Sequence, residues 1–311
     1  MPIVSVIIPV FNVEKYIRRC LDSIKKQTLS DIEIIVVNDG TPDNSMEIVS
    51  ELAKDDHRIK ILNHEKNMGL MWTRRTGYMA ATGDYITFCD SDDYLPNNAL
   101  EKLYSAIVGS NADIISGNII YLTVKGEELL WKSELKYGNS KEAVMRSLLR
   151  WELGHNLCGK MFKTSLLQNY DYKTYMHVTN GEDGCLFYQV VGNMNRMALI
   201  NDVVYYYIQN MESSTQVRLS ENAIKSICIL NKVRDAAASS YPKLHTDLSR
   251  CVTNILCGLY IQGYNKGNTN LIKHIAENGL NNYITLSNII RYLNYLKIMK
   301  LFIRYKLLNI Q

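Results

Sequence analysis

The chain has 311 residues with 47% apolar and 21% charged side chains, room for about two domains and a balance that excludes a disordered chain. No apolar run reaches the ~20 residues that span a bilayer, and the opening Met1-Pro2-Ile3-Val4-Ser5-Val6 has no charged lead or cleavage site of a secretion signal, so the sequence reads as cytoplasmic. A net charge of +4 is too small to point to nucleic acid, and seven cysteines with no CxxC pair read as small buried thiols rather than a zinc site.

In chain order, Val4 to Val10 is apolar but for Ser5 and predicts a buried strand ended by proline. Glu14 to Gln27 follows with Tyr16, Ile17, Cys20, Leu21 and Ile24 at helical spacing. Glu33 to Val37 predicts a second buried strand, then a helix over 44–54 and a short strand over 59–62. A helix over 69–81 leads into a strand over 84–89. Apolar strands alternating with helices predict an α/β domain whose parallel sheet is covered on both faces. Beyond it come a helix over 100–108, a strand over 113–117 and polar, antiparallel strands, with 198–207 as a late hairpin or edge strand. Past Ser220 the pattern turns helical over 223–239, 244–260, 271–277 and 284–308, which divides the chain into 1–214 and a helical region, 215–311.

Ligands of open parallel sheets sit beyond the carboxyl ends of the strands. Three polar clusters fall there: Pro9 to Glu14, Asn38 to Asp43, and Asp90-Ser91-Asp92-Asp93. Asp43 and Asn44 fit a helix cap as well as a ligand. The three carboxylates of the last cluster repel one another unless a cation or solvent screens them. Hard oxygen donors suit Mg²⁺ or Mn²⁺, although a hydrated turn explains the same residues. No glycine-rich phosphate loop follows the first strand, so a nicotinamide or P-loop site lacks its phosphate cradle.

Several segments together resemble family 2 glycosyltransferases. They are Val4 to Asn12, Cys20 to Ile24, Gln27-Thr28, Glu33 to Gly40, Asn67-Met68-Gly69, Gly77, Ala81 to Ile86 and Asp90 to Asp93, in that family's order over about the first 105 residues. The resemblance implies a GT-A fold, a nucleotide-sugar donor with UDP favoured, Mn²⁺ or Mg²⁺ as cofactor, and inversion at the anomeric carbon. It assigns Pro9, Phe11, Glu14 and Asp39 to base and ribose, and Arg74 to base or diphosphate. Asp90 goes to ribose or metal, and Asp92 is the direct metal ligand. Two departures stand out: Asn38 replaces a first aspartate, and Arg75 replaces an asparagine, either touching diphosphate or facing solvent.

Inversion needs a base for the acceptor hydroxyl. Gly181-Glu182-Asp183 resembles the family's Glu-Asp motif, which makes Asp183 the base and gives Glu182 an orienting or acceptor-binding role; a carboxylate at a helix start also has a purely structural explanation. Lys160 sits in a segment resembling one near donor or acceptor, while His155 and His177 read as structural. The stretch Tyr205-Tyr206-Tyr207 fits either an end-of-domain pattern or edge-strand packing.

The tail over 284–308 carries basic residues and no acids among apolar residues at helical spacing. It suits an anionic membrane surface, a helix packed on the domain, or a homodimer contact. The expected acceptor is a growing surface glycan or a lipid-linked one. A sugar-nucleotide-binding protein without transferase activity is the alternative, and it would have lost the base or the metal ligand, both of which are present. A nucleotidyltransferase would need a glycine-rich loop with lysine where Pro9 to Glu14 stand.

Overall fold

The computed structural model describes residues 2–174, 178, 181–209, 221–265, 285, 287, 288 and 291. His177, the segment 210–220 and nearly all of 271–308 lie outside them, and with them the 271–277 helix, the tail helix and the soft boundary near 215.

Strands β1 (Val4–Val10), β2 (Ile32–Asn38), β3 (Ile59–Asn63) and β4 (Tyr85–Phe88) run parallel, with β1 between β2 and β4. Every residue of β1 is buried, which is why its apolar side chains do not alternate with polar ones, Ser5 alone being polar. The crossovers are α1 (Ile17–Lys25), α2 (Ser45–Lys54) and α3 (Leu70–Ala80), and α1 buries Ile17, Cys20, Leu21 and Ile24 along one stripe. Where α3 crosses β1, a Cβ on Gly77 would lie 2.4 Å from Ile7 Cγ2, so only glycine permits that approach.

The second half of the eight-stranded sheet is mixed. After α4 (Ala99–Ser110) come β5 (Ile114–Leu122), β6 (Glu128–Trp131), α5 (Lys141–Leu149), β7 (Lys160–Lys163), α6 (Thr164–Gln168), α7 (Glu182–Asn193) and β8 (Met197–Ile208). The order is β3-β2-β1-β4-β7-β5-β6, with β8 beside β5. β7 is antiparallel to β4 and β5, and β6 is antiparallel to β5, as the polar pattern predicts. β8 is an edge strand but not a hairpin arm: it runs parallel to β5, because the chain returns through α5, β7, α6 and α7 before pairing.

Glu33 ties the parallel half together. It is 3% exposed and accepts from Ser5 Oγ at 2.5 Å, Thr82 N at 2.6 Å, Gly83 N at 3.2 Å and Lys60 Nζ at 2.6 Å. Burial alone would raise its pKa, but Lys60 and the surrounding donors outweigh burial and bring it down to about 2.

The C-terminal helices α8 (Glu221–Ala238) and α9 (His245–Asn265) pack on α7 and α5 respectively. Asp247 of α9 accepts from Arg150 Nη1 at 2.9 Å and faces Arg146 Nε at 3.2 Å. Among the described residues no helix is long and apolar enough to cross a membrane.

Candidate active site

β4 pairs with β1 only as far as Ile7, so the carboxyl end of β1 has lost that neighbour. Pro9 lies in this stretch, buried, where its missing N–H removes no ladder bond. Beyond it Phe11 is 43% exposed and Asn12 takes a φ of +56°. The loop is then sewn to the start of α2: Asn12 N donates to Thr41 Oγ1 at 2.8 Å, Glu14 N to Asp43 Oδ2 at 2.8 Å, and Asn44 N to Glu14 Oε2 at 3.1 Å. Asp43 also accepts from Ser45 N at 3.1 Å, so it is the helix-capping residue of the two readings. These bonds start α1 at Ile17 rather than at Glu14.

Asp39, at the end of β2, is buried. Its oxygens accept from Met68 N at 2.8 Å and Gly69 N at 2.9 Å, and His64 Nδ1 lies 2.8 Å away. This carboxylate fixes the start of α3, a favourable place for negative charge.

From α3, Arg74 reaches the centre of the site and is 2% exposed. Its Nη2 donates to Asp90 Oδ1 at 2.7 Å and its Nη1 donates to Asp183 Oδ1. One planar guanidinium therefore joins the acidic turn after β4 to the first turn of α7. The other oxygens are engaged too: Leu157 N donates to Asp183 Oδ2 at 3.2 Å and the Cys158 thiol to Asp90 Oδ2 at 3.4 Å. Burial pushes Asp183 above the usual carboxylate range, against the pull of Arg74. Burial and then the adjacent Asp183 push Glu182 up to about 7, and Glu182 Oε2 is buried without a hydrogen-bond partner.

Asp92 lies beside Asp90, and burial and that like charge push it up to about 6. Among the described residues no three His, Cys, Asp or Glu side chains converge into a complete metal cage. Two carboxylates on one turn offer hard oxygen donors of the kind a divalent cation takes, and Asp90 and Asp92 are the residues that would hold it.

The sheet's far edge anchors this turn. Tyr205 OH donates to Asp93 Oδ2 at 2.7 Å and accepts from Asp90 N at 3.1 Å, while Ile208 N donates to Asp93 Oδ1 at 2.7 Å. Tyr206 stacks on Tyr94 with ring centroids 4.7 Å apart. Sequence reasoning left these tyrosines undecided, and it passed over Leu157 and Cys158, whose contributions are a backbone amide and a thiol with no readable pattern. Lys160 is buried, donates to Asn156 O at 2.6 Å, and burial lowers its pKa to about 8. Arg75 takes the outward option, 3.5 Å from the exposed Asp171. His155 is structural, its Nε2 3.0 Å from Tyr188 OH, with burial lowering it to about 3.

A sheet of this order, with an acidic turn after its fourth strand facing a carboxylate on a later helix, is the GT-A arrangement of nucleotide-sugar transferases. Residues 5–171 match glycosyl transferase family 2, and the chain belongs to that family. It is 35% identical over 220 residues to the glycosyltransferase GlyA of Streptococcus pneumoniae serotype 4, covering 66% of this chain and 30% of GlyA, so the chain spans less than a third of that relative. Among solved structures it resembles S. aureus TarS in complex with UDP-GlcNAc, with a TM-score of 0.64 at 20% identity over 94% of this chain and 92% of the other. It also resembles the Pyrobaculum calidifontis mannosyltransferase PcManGT in complex with GDP-Man and Mn²⁺, with a TM-score of 0.55 at 14% identity over 98% and 87%. These two likenesses share the fold.

Proposed function

We propose that this chain is an inverting glycosyltransferase. It moves a sugar from a UDP-sugar to a hydroxyl of a glycan or lipid-linked acceptor in surface-polysaccharide synthesis, with Mn²⁺ or Mg²⁺ held by Asp90 and Asp92. The observation that carries the reading is the guanidinium of Arg74 shared between Asp90 and Asp183. It couples a donor-side carboxylate to an acceptor-side one within a single buried group. The family, and the sugar nucleotides bound by TarS and PcManGT, support the donor class.

On the donor side, the exposed ring of Phe11 is offered to the base. Asp39 keeps acceptor capacity for a uracil N–H, since a carboxylate has about four lone-pair sites. Pro9 and Glu14 shape the rim between them. A cation bound at Asp90 and Asp92 would supply neutralisation of the charge on the leaving diphosphate. Asp183 takes the proton of the acceptor hydroxyl as that oxygen bonds to the anomeric carbon and the bond to the diphosphate oxygen breaks on the opposite face. Arg74 and the Leu157 amide fix the direction in which Asp183 presents its oxygens. Glu182, with a raised pKa and an unpartnered oxygen, meets the acceptor. Contact of the 284–308 tail with the inner membrane face, or with a second copy, rests on its sequence pattern.

Calorimetric titration of UDP, GDP and CDP with and without Mn²⁺ tests the donor side, with metal-dependent binding of UDP alone expected. Absence of binding by all three to folded protein would overturn it. Asp183→Asn tests the base: UDP binding stays and sugar transfer is lost. Transfer surviving in that variant would remove Asp183 from its role, and a wild type that binds UDP but transfers nothing would favour a binding protein.

A further inference from the structure

One face of the β6–β5–β8 end of the sheet carries an aromatic surface leading away from the acidic turn. Opposed residues of paired strands share a face. The register therefore places Trp131, Ile119 and Tyr205 in one row and Leu129, Tyr121 and Tyr207 in the next. Tyr205 ends the first row at Asp90 and Asp93. Tyr121 bridges the surface, 4.9 Å from Tyr207 and 6.4 Å edge-on from Trp131. The outer end is open: Trp131 is 37% exposed and Leu129 54% exposed.

This face also borders the loop that holds Asp183. A Cβ built on Gly154 would lie 3.4 Å from Trp131 Nε1 and 2.4 Å from Asn156 Oδ1, and the next residue, Leu157, donates its amide to Asp183. The indole therefore stands at the lip of the same loop that positions the proposed base. Exposed aromatic and apolar side chains continuous with a polar site mark a ligand groove rather than ordinary surface.

We propose that Trp131, with Tyr121 and Tyr207, forms an acceptor-sugar subsite that stacks the C–H face of a pyranose and so presents a neighbouring hydroxyl towards Asp183. A pyranose has one face of weakly positive C–H bonds, which match the negative face of an aromatic ring, and an edge of hydroxyls, which match Asn156 and the indole N–H. A nucleotide diphosphate does not fit this end, since no cationic side chain belongs to the two rows. The subsite rests on the transferase reading above.

The test is saturation-transfer NMR with methyl β-D-glucopyranoside, methyl β-D-galactopyranoside and methyl N-acetyl-β-D-glucosaminide, on UDP-saturated wild type, Trp131→Ala and Trp131→Phe. At least one glycoside is expected to receive saturation at its ring C–H protons. The signal should fall about tenfold in Trp131→Ala and largely persist in Trp131→Phe, the scale of one lost aromatic contact. Calorimetric UDP affinity is expected to be equal in all three proteins. Equal signals in wild type and Trp131→Ala, or no signal from any glycoside, would overturn the subsite while leaving the donor reading intact. Loss of UDP binding in the wild type would instead strike the donor reading.

Discussion

Tyr205 and Asp93 are joined by a 2.7 Å hydrogen bond from phenol to carboxylate, and both are buried. The same phenol oxygen receives the Asp90 amide, so one hydroxyl on an edge strand sets the shape of the acidic turn. Tyr205→Phe deletes that hydroxyl and leaves a buried carboxylate and a buried amide each short of a partner. The expected loss is about 2 kcal/mol of stability, read from urea unfolding with an unchanged slope. UDP affinity in the presence of Mn²⁺ should weaken with it. A change below about 0.5 kcal/mol would show that the Ile208 amide holds the turn alone.

Arg74 is the second point of control. Arg74→Met leaves Asp90 and Asp183 facing each other without a cation, and breaking such a buried pair is expected to cost about 3–5 kcal/mol. Arg74→Lys keeps the charge but cannot span two carboxylates with one ammonium. That variant is expected to fold, with a melting temperature between those of wild type and Arg74→Met, and to lose turnover by about a hundredfold through misplacement of Asp183. Turnover within a few-fold of wild type in Arg74→Lys would mean that charge alone suffices.

The parallel half of the fold was legible because its physics is local. The mostly apolar runs of β1 and β2, broken only by Ser5, Glu33 and the terminal Asn38, announce strands buried on both faces, and the stripe of α1 announces its core face. Asp39 and Asp90 stood out because they carry charge where the alternating pattern brings chain to a rim, whereas Arg74 and Asp183 were reached only through the family resemblance. What joins them was not legible. The Arg74 bridge links α3, the β4 turn and α7, and a carboxylate's partner across such a distance leaves no mark in either local sequence. The antiparallel β7 and the parallel β8 were blurred for a related reason: β7 is four residues long, and the direction of β8 is decided by a long return path rather than by its own residues. The Lys160 bond to Asn156 O was likewise out of reach, since a backbone carbonyl as partner leaves no mark in the sequence.

Acid sensitivity follows from Glu33. Its folded pKa lies at about 2, below the ordinary 4.5, so the folded state binds its proton more weakly than the unfolded state does. The stability it contributes is complete above about pH 4.5 and is lost as pH falls from there to about 2, an amount of about 3 kcal/mol. Urea unfolding at stepped pH should show that slope in the wild type, and Glu33→Gln should flatten it while lowering stability at pH 7. A wild-type slope unchanged by Glu33→Gln would place the acid-sensitive group elsewhere.

The C-terminal helix α8 packs against the start of α7. Gly181 precedes Glu182 with a φ of +89°, and a Cβ there would lie 2.8 Å from Leu230 Cδ2 of α8. Gly181→Ala therefore meets two penalties at once, a backbone conformation closed to L side chains and a clash that pushes α8 off the start of α7. The expected stability loss is about 1–2 kcal/mol. Because Asp183 is two residues on, turnover should fall further than this loss explains. The proposed donor rim belongs to β1, β2 and the β4 turn, so calorimetric affinity for UDP with Mn²⁺ should hold. Gly181→Ala/Leu230→Ala removes the clash but keeps the backbone strain, so a recovery of turnover in the double variant would assign the effect to α8. Equal losses of UDP affinity and turnover in Gly181→Ala would instead mean that the start of α7 supports the donor side as well.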